Sequence, residues 1–407
     1  MNDGIFLFYL IMRKKILSIL FLFCFIGNQI EIQANEITIG IALGFTGPTE
    51  SIVPSMASSA ELAVSEANSS KIFLNGEKKV NSIKIDTKCD TSKIKLVNKI
   101  INENNIIGII GAACPGISEG ILLGSANEKN IPMISPSATT PLLSMLDEKN
   151  LFFRTTAPSS RDGEVLAKIT KDKGIKRIAV SFQDTNYGKE LERNFKKTLN
   201  DSNVEITVSV PIKINKTDLS NEVSVLAAAG GDAVAIFTEI EQDGERLIKS
   251  ILDSGAFEKF ILSDRMINET TEKKFGKLIN NSFGIISGSN SKNINSFYKI
   301  AKKNNIDTSG PFIGESYDAA ALLILALQEK NFKSDNNLSK NIMSVSNSPG
   351  TKIYPGEIAK GLKLLKKGKK IDYEGATNVE FNINGDAFGT FLEKEVSKGK
   401  FRTRQQR

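Results

Sequence analysis

Glu239 and Asp264 each follow a short apolar run, and a pair of carboxylates at strand ends is what glycoside hydrolysis uses as acid and base or nucleophile. Nothing else in the sequence completes such a reaction. The 407 residues contain no histidine. That removes the commonest general acid–base, the usual base of a nucleophilic triad and the commonest metal ligand. No nucleophile stands beside a base at a useful spacing. Two sulfurs, Cys89 and Cys114, without a histidine do not make a metal site. The expectation is binding rather than catalysis, with no metal and no cofactor.

Four short loops carry the binding chemistry. Residues 44–48 (GFTGP) are followed by 112–116 (AACPG), which leads into a helix near Ser118. The backbone N–H groups of such a turn can hold a carboxylate. Residues 135–140 (SPSATT) offer hydroxyls and a second amide cluster, and 184–188 (DTNYG) place Tyr187 at a helix start. Each loop alone is ordinary turn and cap chemistry. All four gain meaning from standing at the carboxyl ends of strands, where ligands bind in open α/β sheets. Thr139 serves as helix cap and ligand donor without conflict. Placement serves Glu239 and Asp264 equally as solvated carboxylates and as ligand partners.

The elements that position these loops alternate. Strands are expected over 36–43, 80–87, 106–111 and 132–134, and helices over 58–68, 91–102 and 118–128. Ala60, Ala63, Val64 and Ala67 fall on one face of the first helix, and Ile94, Val97, Ile100 and Ile101 on one face of the second. The alternation restarts after Arg161. Helices are expected at 164–172, 189–199, 219–229 and 245–254, and strands at 177–182, 205–210, 233–237 and 259–262. One more strand begins at Phe283, before long helices at 294–304 and 316–330 that cover the first unit again. The predicted fold is α/β: two doubly wound parallel-sheet lobes joined by crossovers that act as hinges. The boundaries are 35–157 plus about 286–365 for the N-terminal lobe, and 158–285 plus about 366–407 for the C-terminal lobe. A chain of this length exceeds what one core holds. Cys89 and Cys114 each follow a strand of one βαβ unit, so a disulfide between them is favoured over two buried thiols.

The first 34 residues have the order of a secretory signal peptide: Arg13, Lys14 and Lys15, then an apolar run over 16–26, then a polar stretch to Ala34. Met12 is the expected initiator. The run is short for a transmembrane span, and Leu22 and Phe23 before Cys24 do not suit a lipid anchor. The mature chain is expected outside the cytoplasm, in the periplasm. The net charge of +7 is scattered. The lysines at 363, 366, 367, 369 and 370 read as solvated helix faces, and Arg402, Arg404 and Arg407 as a frayed tail. No basic stripe alternates with stacking aromatics, so no nucleic acid is expected.

Across the mature chain the sequence resembles the periplasmic leucine/isoleucine/valine-binding proteins. The resemblance is carried by IPMISPSATTPLLS (131–144), LFFRTTAPSS (151–160), NYGKELERNF (186–195), GESYDAAALLILAL (314–327), IDYEGATNVEFNINGD (371–386) and the Cys89/Cys114 pair. It implies a type I periplasmic binding protein, a monomer that serves an ABC permease. It implies that Cys114, Pro115 and Gly116, with Ser137, Ala138 and Thr139, hold the carboxylate and ammonium of an amino acid. Tyr187 would close over the ligand from the second lobe, and Glu239 and Asp264 would stand where an acidic or aromatic partner meets the ammonium. Three positions depart from the family: Pro115 where Ser is common, Glu239 where an aromatic is frequent, and Arg265 where a small residue follows the acidic one. They shift the expected ligand from leucine toward a more polar amino acid or an amide. A sensory ectodomain would need a membrane span and a signalling part beyond residue 400, so a stand-alone binder is expected; it could still present its ligand to a sensor.

Overall fold

The computed structural model describes residues 36–407 apart from 201, 239 and 333–336. The expected leader and Glu239 therefore lie outside the described residues. β1 (Glu36–Leu43) leads into α1 (Val53–Ser70). β2 (Lys79–Asp86), α2 (Ile94–Glu103), β3 (Ile109–Gly111), α3 (Pro115–Ile121), β4 (Met133–Ser135), α4 (Leu142–Leu146) and β5 (Phe152–Arg154) follow. These five strands form one sheet in the order β2-β1-β3-β4-β5, parallel throughout. Along β1 the side chains divide by period two. Ile39, Ile41 and Leu43 join a core with α1, while Ala42 joins Ile85, Val97 and Ile117 on the other face. A parallel strand buried on both faces reads as a continuous apolar run.

The second lobe repeats the pattern. α5 (Ser160–Asp172), β6 (Arg177–Gln183), α6 (Asn186–Leu199), β7 (Glu205–Ile212) and α7 (Ser220–Ala229) are followed by β8 (Ala233–Phe237), α8 (Glu245–Ser254), β9 (Phe260–Leu262), α9 (Glu269–Phe275) and β10 (Phe283–Ser287). In β8, Val234 and Ile236 pack on one face, and Ala233, Ala235 and Phe237 on the other.

The chain then returns to the first lobe. α10 (Lys292–Lys303) and α11 (Ile313–Phe332) place Phe297, Ala301 and Tyr317 in the core beneath α1. α12 (Leu338–Ser346), β11 (Thr351–Ile353), α13 (Ile358–Lys366) and β12 (Ile371–Tyr373) complete it, and β11 and β12 form a small parallel pair. The last crossover comes later than the expected 366. Ile371, Tyr373, Val379 and Phe381 are buried in the first-lobe core, and the chain regains the second sheet only at β13 (Phe391–Ser397). β14 (Lys400–Gln406) then pairs antiparallel with β13, giving the order β14-β13-β10-β9-β8-β6-β7.

That hairpin corrects the expected frayed tail. Arg404 pairs with Glu395 at 2.7 Å, and Arg407 reaches Asp172 at 2.5 Å and Glu393 at 2.7 Å. The antiparallel ladder to β13, with these ion pairs added and only Phe401 packing on the core, ties this edge down, a pairing invisible to apolar periodicity. Among the described residues no helix is long and apolar enough to cross a membrane.

Candidate functional site

The first-lobe loops are tied to one another. Cys89 and Cys114 form a disulfide with Cα atoms 5.6 Å apart, fixing the ends of β2 and β3. The Cys114 carbonyl accepts the amides of Ile117 at 3.1 Å and Ser118 at 3.0 Å, which starts α3. Pro115, in the first turn, brings no N–H. Gly116 follows it, and an amide this early in a helix has no intrahelical acceptor. Ser135 at the end of β4 is buried and donates to the Ala112 carbonyl at 2.7 Å, while accepting the Ala138 amide at 2.9 Å. Ser137 donates to the Ala113 carbonyl at 3.3 Å.

Within this loop the expected residues divide. Ser137 and Thr139 are half-buried and open toward the strand ends. Ala138 is fully buried, its amide taken by Ser135 and its carbonyl by the Arg154 guanidinium at 3.0 Å. It supports the loop instead of lining the cleft, because neither its side chain nor its backbone is free for a ligand. The Thr139 carbonyl accepts the Ser159 amide at 2.9 Å, tying this loop to the first crossover.

Arg154, a residue given no role from sequence, is the anchor. It is wholly buried at the end of β5, bonds Asp386 at 2.6 Å and donates to Thr140 O at 2.8 Å as well as to Ala138. The second lobe comes close here, since Glu190 on α6 contributes a favourable charge to this guanidinium.

The second-lobe group is equally self-contained. Thr185 caps α6 by accepting the Gly188 amide at 3.1 Å. Position 188 requires glycine, because a Cβ there would sit 2.2 Å from the Gln183 carbonyl oxygen. This turn presents Tyr187, whose hydroxyl donates to the Asp264 carboxylate. Arg265 lies over the Tyr187 ring at 3.9 Å from its centroid, a cation–π geometry. Burial, with the Asp264 charge beside it, pushes the Tyr187 phenol well above its ordinary range, so it stays a neutral donor. Asp162, on the first turn of α5, is buried next to this group; burial and then the Asp264 charge raise its carboxyl. Sequence reasoning passed over it because an acidic residue in a first helical turn is ordinary dipole chemistry. Ser137, Thr139, Tyr187 and Asp264 thus stand at the strand ends of their two lobes; Ser137, Tyr187 and Asp264 are bonded within their own lobes, and Thr139 to the crossover. Among the described residues no group of three or more potential metal ligands occurs.

The family described as receptor family ligand binding region matches residues 55–392. The chain belongs to that family. It is 27% identical over 245 residues to Leu/Ile/Val-binding protein homolog 3 of Brucella melitensis, a match covering 60% of this chain and 65% of that protein. The chain thus matches just under two-thirds of that relative's length. It is 23% identical over 394 residues to the chemotactic signal transduction system substrate-binding protein BasB of Halobacterium salinarum, covering 91% of this chain and 89% of that one. Its fold matches an ABC transporter substrate-binding protein from Desulfitobacterium hafniense in complex with Leu, with a TM-score of 0.63 and 20% identity, over 91% of this chain and 100% of that one. The two-lobed α/β fold expected from sequence is thereby shown. The relatives and neighbours named are binding proteins.

Proposed function

We propose that this chain is the extracytoplasmic solute-binding component of an ABC importer, closing two lobes over an amino acid or small amide. The observation that carries this is the placement of two polar strand-end groups on opposite lobes, with three crossovers at 155–157, 287–289 and 389–390 between them. The ligand carboxylate docks on the first lobe against the Gly116 amide and the hydroxyls of Ser137 and Thr139. Rotation about the crossovers then brings Tyr187 and Asp264 onto its other end.

Asp264 already has the Tyr187 hydroxyl on it. An incoming ammonium shares this carboxylate instead of finding it free. That supports a ligand with further hydrogen-bonding groups over a purely aliphatic one. No general acid or base with a reacting partner is present in this arrangement, so the proposal is binding without turnover, by a monomer. The leader expected at 1–34 and the disulfide support a location outside the cytoplasm.

Thr139→Val and Tyr187→Ala test the site. One lost ligand hydrogen bond costs about 1–1.5 kcal/mol, so Thr139→Val should raise Kd about five- to tenfold. Tyr187→Ala should raise it at least as much. A thermal-shift screen of amino acids and amides finds the ligand, because binding to the native state alone raises its stability. Calorimetric titration then gives both constants; if both variants titrate like wild type, the site lies elsewhere. The 91% coverage of the match to a chemotactic binding protein favours a second reading, presentation of the ligand to a receptor. Uptake by vesicles carrying a cognate permease separates the two.

A further inference from the structure

The three crossovers enclose a cavity of about 210 Å³. Its remaining walls come from α10 and from the loop and first turn that begin α11. Ser137, Thr139, Tyr187 and Asp264 take no part in it. Its chemistry is lopsided. Glu315 and Tyr298 are the titratable side chains of the lining, and neither lysine nor arginine belongs to it. Among the described residues the Glu315 carboxylate has no ion pair, and the hydroxyls of Thr156, Ser287 and Thr390 make no hydrogen bond inside the protein. Ile294 and Phe312 supply apolar wall.

Burial raises the Glu315 carboxyl to about 7, helped by repulsion from Asp318 one turn further along α11. Burial and the Glu315 charge push the Tyr298 phenol up, so it stays a neutral donor and acceptor. One carboxylate without a counter-ion calls for one positive charge. The cavity holds about seven times the liquid volume of a water molecule, too much space for a bare monovalent ion. With no cluster of metal ligands among the described residues, the fitting occupant is an organic cation of a few heavy atoms.

We propose that the hinge cavity is a second ligand site, which takes a small primary ammonium compound on the Glu315 carboxylate between the three crossovers. It does not depend on what the cleft binds. The crossovers are its walls, so its occupancy and the angle between the lobes are reciprocally linked.

The probe is ethanolammonium chloride, titrated calorimetrically into the full chain without amino acid, at pH 8 and pH 6 and constant ionic strength. Saturable binding is expected at pH 8, with no response to sodium chloride or to the neutral isostere ethylene glycol. The ionised fraction of a group of pKa about 7 falls about tenfold between these pH values, so apparent Kd should rise about tenfold at pH 6. Near pH 7, binding should release a proton, seen as a dependence of the heat on buffer ionisation enthalpy. Glu315→Gln should abolish binding with its circular dichroism unchanged. If that variant fails to fold, proton release by the wild-type chain decides. The site is refuted by no saturable binding at pH 8, by an equal response to sodium, by binding without proton release, or by undiminished binding in folded Glu315→Gln.

Discussion

Replacing Arg154 by Met should do more damage than any change at the cleft surface. The side chain is fully buried. Its Nε bonds Asp386 at 2.6 Å, and its Nη1 bonds two carbonyls, Ala138 at 3.0 Å and Thr140 at 2.8 Å. Ser144 completes the set, donating to Asp386 at 2.7 Å while receiving Nη2. Methionine matches the apolar stem but leaves Asp386, which is 7% exposed, as a buried carboxylate facing no cation. Breaking one side of a buried ion pair costs about 3–5 kcal/mol. At 2–4 °C per kcal/mol for a unit of 150–250 residues, that is a fall of roughly 6–20 °C in the first-lobe Tm. Calorimetry measures it. Adding Asp386→Asn to Arg154→Met removes the stranded charge and should recover part of the loss, so the two changes are strongly non-additive. Ligand affinity should fall even in the partly rescued pair, because the carbonyls at 138 and 140 have lost their common anchor. A loss under about 1 kcal/mol, or additive effects of the two substitutions, would show that Ser135 and the disulfide hold the loop without Arg154.

Replacing Cys89 and Cys114 together by Ser opens a loop with a sequence separation of 25 and should cost about 3–4 kcal/mol in the chain-entropy account; urea titration reads it, and an unchanged midpoint would rule the entropic contribution out. Gly188→Ala drives a Cβ to 2.2 Å from the Gln183 carbonyl oxygen; about 1–3 kcal/mol of strain follows, and the displaced turn should also weaken ligand binding through Tyr187. The Asp318 carboxyl, raised by burial from 3.8 to about 6, holds its proton more tightly folded than unfolded. Its contribution to stability should therefore decline as pH rises from about 4 through about 6, by about 3 kcal/mol in total, so the stability difference between wild type and Asp318→Asn should fall over that window in pH-resolved urea titrations; a difference that rises over the same range would contradict the sign.

The two lobes were legible because each strand of their centres is buried on both faces. AVAIF in β8 and, apart from Ser181, IAVSF in β6 read as apolar runs, and α5, α6 and α8 have a clear amphipathic period. What followed residue 366 was not. Tyr373, Val379 and Phe381 lie in a stretch too polar and irregular to announce a core, yet they pack into the first lobe. KFRTRQQ in β14 has one aromatic and no alternation; its ladder to β13 places it, with Arg404 paired to Glu395 and the following Arg407 to Glu393 and Asp172. Apolar period reports regular elements; the first segment is buried without one, and β14 is an exposed edge strand.

The same limit separates the two halves of the site. Ser137, Thr139 and Tyr187 sit in loops whose turn chemistry is local, so strand ends were enough to propose them from sequence. Arg154 and Asp386 meet across 232 residues, and Tyr187 and Asp264 across 77. No spacing within either segment encodes such a pairing. A charged residue at the end of an apolar strand, as Arg154 is at the end of FFR, is the one local hint. Burying it without a partner would cost several kcal/mol, so a partner must exist somewhere in the chain. The same reasoning bears on Glu315. Its carboxylate has no cation among the described residues and lies on a cavity without one. Asp318, likewise buried without a cation, is satisfied by Tyr373, Ala376 and Thr377 from within the protein; Glu315 lines a cavity instead, so the hinge is where a charge from outside is expected.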